Sequence, residues 1–274
     1  VDMQGRTRRR APVEESVTES TSMRARQVRI DVSRLDTLMN LAGELTIARG
    51  RLLQLTAGNP DPALDETVQQ IAALVGELQR EVTASRMVPV GQVFDRFPRM
   101  VRDLGRALGK HVHLVLSGEQ TQVDRDILEQ LDAPLAHLLR NAVDHGIELP
   151  EARRAAGKPE EGRITLMARH NAGRLVIEIF DDGAGVDLDA LRAAIVRRGL
   201  AQAETAARLS QAEMLEFLLL PGFSLRETVS EVSGRGVGLD AVQDMVRAVR
   251  GSLKLSQQPG SGLHFHLELP LTLS

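Results

Sequence analysis

The chain has 274 residues and contains no cysteine, no tryptophan and no tyrosine. Without thiols it can build neither a disulfide framework nor a thiolate metal site. All six aromatic residues are phenylalanine, which leaves little with which to stack the bases of a nucleic acid. An excess of one charge is also missing. Lys and Arg total 34 against 37 Asp and Glu, for a net charge of −3, so no electrostatic case for DNA or RNA arises. Longer apolar runs such as Phe217–Leu220 are far too short to cross a bilayer. No signal-peptide pattern opens the sequence, and a soluble, cytoplasmic protein without membrane insertion is the expectation. What is present is 42% apolar residues and a length that accommodates roughly two domains.

Residues 1–27 are polar and patternless. Arg6, Arg8, Arg9 and Arg10 precede a cluster of Glu, Ser and Thr, the composition of a disordered linker. Val28, Ile30 and Val32 alternate as a short extended lead-in. A helical pattern then starts at Ser33, a suitable N-cap, and runs through Leu35, Leu38, Leu41, Ala42, Leu45 and Leu52. Gly58-Asn59-Pro60-Asp61-Pro62 is turn chemistry. A second helical pattern follows through Leu64, Val68, Ile71, Val75, Leu78 and Val82. Two helices of about 22 residues cannot close a core by themselves, whereas two such hairpins can, as a four-helix bundle. Residues 28–86 are therefore read as a dimerisation hairpin. The alternative is a hairpin packed on the second domain of its own chain.

Pro89 biases Val88 to an extended backbone and ends the helical pattern, which places the second domain at residues 87–274. There Phe94, Phe97, Met100, Val101, Leu104 and Leu108 mark one amphipathic helix. Val112, Leu114 and Leu116 alternate as a strand. Asp124 opens a helix that must kink or restart at Pro134. Strands are predicted over Ile164–His170 and Leu175–Phe180, and helices over Leu188–Arg198 and Ala212–Leu220. A glycine-rich segment then opens a helix ending near Val249, and Leu253–Leu255 and Leu263–Leu269 close the chain as strands. Blocks of helix between hairpin-like strand pairs give an α+β class.

Three stretches carry candidate chemistry. In PLAHLLRNAVDHGIE, Pro134–Glu148, the residues Leu135, Leu138, Leu139, Ala142 and Val143 share one helical face. His137, Asn141, Asp144 and His145 share the other, and Gly146 is a stop signal. The side-chain carbonyl of Asn141 suits Mg²⁺, and His137 can donate to a phosphate oxygen. Asp181 ends a strand before Gly183 and Gly185, where a carboxylate can accept from the amine of adenine and glycines admit a purine ring. Gly234, Gly236 and Gly238 precede a helix start, where backbone N–H groups bind phosphate. Between them, Phe223–Ser233 has the composition of a lid, with Arg226 and Arg235 able to approach phosphate charge. Each alone has a plainer reading: a polar helix face, a turn, a flexible connection.

Taken in order, these segments resemble the GHKL family of ATP-binding domains, and in particular chemotaxis histidine kinases of the CheA type. The resemblance runs from about Val28 to Ser274 and rests on HLLRNAVDHGIE at His137–Glu148 and DDGAG at Asp181–Gly185. FLLLPGFS at Phe217–Ser224 and SEVSGRGVGLD at Ser230–Asp240 complete it. The run SRMVPVGQVFDRFPRMVRDLG at Ser85–Gly105 looks like the start of the same catalytic domain. The resemblance implies a helical dimerisation domain followed by a GHKL α/β sandwich, with ATP and Mg²⁺ as cofactors. Asn141 would be the metal ligand and His137 the γ-phosphate contact, the two forming the catalytic pair, with Asp144 and His145 in support. Asp181 would bind adenine beside Gly183 and Gly185. Gly234, Arg235, Gly236 and Gly238 would surround the phosphates, and Phe217 and Phe223 would anchor the lid.

Hydrolytic members of the family resemble one another in a Glu one turn before the metal-binding Asn. Here that position is His137, so no base is placed to activate water, which favours transfer over hydrolysis. The implied reaction is phosphorylation of a histidine on a separate phosphotransfer domain. Receptor and coupling proteins would engage through a further domain outside this chain. Two departures stand out. Leu263 follows Gly262 where relatives often have Thr, and Ala184 offers no cation to the nucleotide. A GHKL hydrolase or ATP-gated clamp, and a nucleotide-binding scaffold without catalysis, are the alternatives.

Overall fold

The computed structural model describes residues 32–57, 62–223, 238–258 and 262–272. The expectations for the tail, for Val28 and Ile30, and for Arg226, Gly234, Arg235 and Gly236 fall on residues outside that range. The expected organisation is present: a helical hairpin followed by an α/β sandwich.

Helices α1, Val32–Thr56, and α2, Pro62–Ser85, form the hairpin. The first begins one residue earlier than the cap expected at Ser33. The pair is joined through buried Ala42, Val68 and Val82 and through a 3.1 Å bond from Thr46 Oγ1 to Gln79 Oε1. Much of the remaining apolar surface stays open. Leu38, Leu41 and Leu45 of α1, and Ile71, Leu74 and Leu78 of α2, are all exposed. The hairpin meets the second region through Arg86, which pairs with Asp126 and, at 3.5 Å, with buried Asp124.

Strand β1, Met87–Pro89, follows at once. It pairs antiparallel with the equally short β2, Gln122–Asp124, with Pro89 opposite Gln122 at the end of the ladder. The single helix expected from Phe94 to Leu108 is two: α3, Gly91–Phe94, and α4, Phe97–Ala107. Pro98 has no N–H to give the Phe94 carbonyl, so the helix must restart there. Phe94, Phe97 and Val101 nevertheless fill one core.

Helix α5, Arg125–Asn141, runs unbroken through Pro134. Asp124 caps it, its carboxylate accepting from Asp126 N at 2.9 Å. One five-stranded sheet lies beneath. Its members are β3 (Val112–Ser117), β4 (Gly162–Asn171), β5 (Arg174–Asp181), β6 (Ser252–Gln257) and β7 (Leu263–Pro270). The spatial order is β3-β4-β5-β7-β6, parallel between β3 and β4 and antiparallel elsewhere. A two-residue turn joins β4 to β5, with Ala172 and Gly173 both at positive φ, the geometry that matches strand twist.

Alternation decides the layers. Ile164, Leu166, Ile177, Ile179, Phe265 and Leu267 face inward onto α5 and its neighbours, all buried. Asp181 has the same parity as Ile177 and Ile179, so the end of β5 turns a carboxylate toward the helices. Helix α6, Pro150–Ala155, was not expected; α7, Leu188–Arg197, was. A further helix, α8, Ala203–Arg208, was also unforeseen. The helix expected over Ala212–Leu220 is α9, Gln211–Glu216, followed by a tighter turn at Phe217–Leu219. Helix α10, Leu239–Ala248, packs against α5.

Candidate active site

The C-terminal end of α5 does not simply stop. It widens into one π-helical turn, Ala142–Gly146, closed by a 2.8 Å bond from Ile147 N to Ala142 O. Turns of this kind insert an extra residue and re-aim side chains, frequently at functional sites. Ala142 and Val143 stay buried while Asp144 and His145 are carried to the surface side. Those two form a 3.4 Å pair. Lys110 seals the turn from below, donating to the carbonyls of Val143 at 2.8 Å and Asp144 at 2.7 Å, where the helix C-terminus favours a cation.

One turn earlier, the amide nitrogen of Asn141 donates to His137 Nε2 at 2.9 Å. An acceptor at Nε2 puts the imidazole proton on Nδ1. Burial is the main reason that the His137 pKa lies below its ordinary value; Arg140 pushes it the same way and Asp240 opposes. A neutral ring is the state this bond requires. The pairing also orients Asn141 so that Oδ1 bonds to no described residue, leaving a carbonyl oxygen of the kind Mg²⁺ takes.

Asp181 is 5% exposed. Oδ1 accepts from Gly183 N at 2.9 Å and Oδ2 from Leu263 N at 3.3 Å. Burial pushes the carboxyl up to about 6, against those two bonds and with help from the charges of Asp182 and Glu148. Glycines surround it. A Cβ at Gly146 would stand 3.0 Å from Oδ1, and one at Gly262 would overlap that oxygen. A Cβ at Gly183 would overlap the carbonyl of Gly146. That carbonyl accepts from Ala184 N at 3.0 Å, so the π-turn and the loop after β5 are bonded into one wall. Gly185 turns the chain away at φ 72. Leu263 gives that carboxylate its backbone N–H but has no side-chain hydroxyl to add beside it.

The loop is held from behind by groups that sequence reading did not single out. Arg153 of α6 is fully buried and donates to Glu148 and Asp182, both at 2.9 Å, and to the Pro159 carbonyl at 2.7 Å. Lys158 Nζ reaches Glu148 Oε1 and the Gly183 carbonyl, both at 2.8 Å. Burial would raise the Glu148 pKa, but the bonds from Lys158 and Arg153 carry it lower. The signs of this cluster in the sequence are the second Asp of DDGAG and Glu148 at the end of HLLRNAVDHGIE. Arg153 lies on a helix too short to show a period, and Lys158 in the loop after it.

Of the remaining expected residues, Phe217 is half-buried against the core. Phe223 lies under the Arg198 guanidinium, 4.8 Å from its ring centre, and Arg198 also donates to Gly222 O at 3.0 Å. Gly238 is extended and immediately precedes α10, and a Cβ there would stand 2.6 Å from Asp240 Oδ1. Asp240 accepts from Gly222 N at 3.2 Å and Ala241 N at 2.9 Å. It thus ties the Phe223 side of the segment between Phe223 and Gly238 to the start of α10. His137 and Asn141 are brought together, as are Asp181, Gly183 and the π-turn. Gly234, Arg235 and Gly236 are not among the described residues.

Residues 130–273 match the family model described as histidine kinase-, DNA gyrase B- and HSP90-like ATPase. Residues 25–85 match that of the homodimeric domain of signal transducing histidine kinases. The chemotaxis protein CheA of Bacillus subtilis is 41% identical over 250 residues, 91% of this chain and 37% of that protein. The sensor histidine kinase CheAY of Helicobacter pylori is 41% identical over 255 residues, 90% of this chain and 32% of that protein. The chain thus spans about a third of the length of these relatives. Among solved structures, the kinase domain of a blue-light activated histidine kinase of Erythrobacter litoralis aligns at a TM-score of 0.41 and 14% identity, over 87% of this chain and 94% of that one.

Proposed function

Because the chain belongs to the family of histidine kinase-, DNA gyrase B- and HSP90-like ATPases, we propose that it is the core of a CheA-like chemotaxis histidine kinase. Residues 28–86 dimerise it, and residues 87–274 bind ATP with Mg²⁺ and pass the γ-phosphoryl group to a histidine on a separate phosphotransfer domain. Receptor and coupling proteins act on the whole kinase through a further domain.

The observation that carries the transfer reading is the bond from Asn141 to His137 Nε2. The basic lone pair of the imidazole is already used, and burial weakens it further. Such a ring cannot take a proton from water. The carboxylate that His137 feels most, Asp240, has its oxygens engaged by two backbone amides. Among the described residues, neither His137 nor Asp240 is therefore free to act as a base on water next to the γ-phosphate, and the phosphoryl group persists for an incoming imidazole. His137 Nδ1–H is the donor left for a phosphate oxygen. Asp181 accepts from the adenine amine, and Gly146, Gly183 and Gly262 let the backbone pack around it where a side chain would strike the carboxylate or the Gly146 carbonyl. Gly238 lies before the α10 start, where N–H groups favour phosphate. Gly234, Arg235 and Gly236, outside the described residues, are assigned to phosphate contact by the resemblance of SEVSGRGVGLD, and Phe217 and Phe223 to the anchoring of a lid. Asn141 Oδ1 is the ligand available to Mg²⁺, which when bound neutralises phosphate charge. Transfer then follows from positioning and charge neutralisation, as phosphoryl transfer requires.

The test mixes the chain with candidate phosphotransfer domains and γ-labelled ATP. Label on an acceptor histidine is expected from the unaltered chain. Asn141→Ala abolishes it without changing the oligomeric state. Steady ADP release with no labelled partner would instead make the protein a hydrolase.

A further inference from the structure

The sheet face turned away from the nucleotide pocket gathers a group of side chains that phosphoryl transfer does not use. Strand alternation puts His264 and His266 of β7 on that face. Glu178 of β5 stands directly across from His266 in the register. His266 Nδ1 lies 3.2 Å from Glu178 Oε1, and His264 Nε2 lies 3.3 Å from the same oxygen. All three atoms fall within 4.8 Å of one another, and no other such trio of His, Asp or Glu occurs among the described residues. A tetrahedral ion bound at about 2.0–2.2 Å holds its ligand atoms roughly 3.3–3.6 Å apart. Two of the three edges already have close to that length.

The surroundings fit a cation better than a plain ion pair. His264 Nε2 is buried and makes no aligned hydrogen bond, although it faces a carboxylate oxygen. The far nitrogen of His266, Nε2, is held by Glu268 Oε1 at 3.1 Å. A carboxylate behind a ligating imidazole fixes its tautomer and strengthens it as a donor. Ser256 Oγ stands 3.5 Å from the far nitrogen of His264. Arg169 occupies the other oxygen, Glu178 Oε2, at 3.1 Å, and leaves Oε1 to the histidines. Lys254, across from His266 on β6, is exposed and has solvent to turn into.

We propose that Glu178, His264 and His266 form a zinc site, with water as the fourth ligand. Imidazole and carboxylate donors suit Zn²⁺, and three protein ligands with one open position are a recurrent arrangement for it. The ion cross-links β5 to β7 next to the adenine carboxylate, because Leu263, adjacent to His264, is the residue whose N–H holds Asp181. Zinc occupancy therefore fixes the strand end that carries Asp181.

Zn²⁺ alone, titrated against the full chain in competition with a chromophoric chelator, tests this. One equivalent is expected to bind, and Co²⁺ in its place should give visible bands of tetrahedral intensity. The double variant His264→Ala/His266→Ala should lose that equivalent, and Glu268→Gln should weaken it about ten-fold. Zinc should raise the melting temperature of the unaltered chain and not that of the double variant, since only a ligand of the folded state stabilises it. Unchanged circular dichroism and adenosine binding without metal show that the double variant is folded. Retention of the zinc equivalent by that variant, or no stoichiometric binding by the unaltered chain, would overturn the assignment. Neither outcome bears on phosphoryl transfer, which is read separately.

Discussion

Asp181 carries opposite demands on one carboxyl group. Burial raises its pKa from 3.8 to about 6, so the folded chain holds this proton more tightly than the unfolded chain does. Protons bound in excess by the folded state make stability fall as pH rises. The folded protein therefore loses stability between about pH 3.8 and about pH 6. At about 1.4 kcal/mol for each pH unit, the loss from this group is at most roughly 3 kcal/mol. Asp181→Asn removes the buried charge, and urea unfolding at pH 7.5 without nucleotide should show a more stable protein. The same substitution should weaken binding of adenosine, because the amide keeps one acceptor oxygen where the carboxylate has two and turns its NH₂ toward a backbone N–H or the adenine amine. In the unaltered chain adenosine affinity should fall as pH drops through about 6; a flat profile would remove Asp181 from the site. His137 yields a second prediction. His137→Glu puts a carboxylate base one turn before Asn141 in place of the imidazole, so ATP hydrolysis should rise while transfer to a phosphotransfer domain falls. Unaltered hydrolysis would show that the missing base is not what protects the nucleotide.

Helix ends and turns, rather than helix middles, build the pocket, and that explains what could be read in advance. A helix period exposes His137 and Asn141 on one face opposite Leu135 and Leu138, so their pairing was legible. The chemistry of DDGAG marked Asp181 as a carboxylate at a strand end before two glycines, and the fold adds that strand parity turns it inward. The π-turn was not legible, because Ala142–Gly146 has no composition that separates it from a plain helix end. Strand β2 and helix α6 are too short to show a period. Gly262 looked like half of a missing Gly-Thr, and only the packing shows that a side chain there would strike Asp181. Arg153 illustrates the limit best, being a fully buried charge whose partners come from two loops and a carbonyl. Its removal leaves Glu148 and Asp182 facing an emptied site. Losing one side of a buried ion pair costs about 3–5 kcal/mol. Both carboxylates keep some solvent and Lys158 remains, so Arg153→Met should destabilise by about 3 kcal/mol, the low end of that range. Urea unfolding measures it, and nucleotide affinity should fall in parallel as the loop behind Asp181 loosens. Affinity that survives such a loss would mean that the cluster supports the fold alone.

Across the whole molecule the two regions differ in how completely they bury themselves. The sheet and its helices enclose one continuous core, whereas the hairpin leaves apolar side chains in water. Leu38, Leu41 and Leu45 are 46%, 51% and 43% exposed, and Ile71, Leu74 and Leu78 are 41%, 65% and 45% exposed. Both triplets follow the same spacing, i, i+3 and i+7, which is one stripe on each helix. Covering them from within the chain is not what the fold does, since the described contact between the regions runs through Arg86 and the acidic residues at the start of α5. A second hairpin presenting the same two stripes would cover all six side chains in a four-helix bundle. Each buried leucine adds about 1.5–3 kcal/mol, and a symmetric interface counts every residue twice. Leu41→Glu together with Leu74→Glu should therefore convert a dimer to a monomer by light scattering at micromolar protein. Both positions lie on α1 and α2 and touch nothing in the nucleotide pocket, so adenosine affinity should not move. Because Arg86 joins the hairpin to the helix bearing His137 and Asn141, transfer to a phosphotransfer domain is the property free to change in the monomer. A variant that remains dimeric would place the subunit contact elsewhere, and one that loses adenosine binding would show that the two regions do not fold independently.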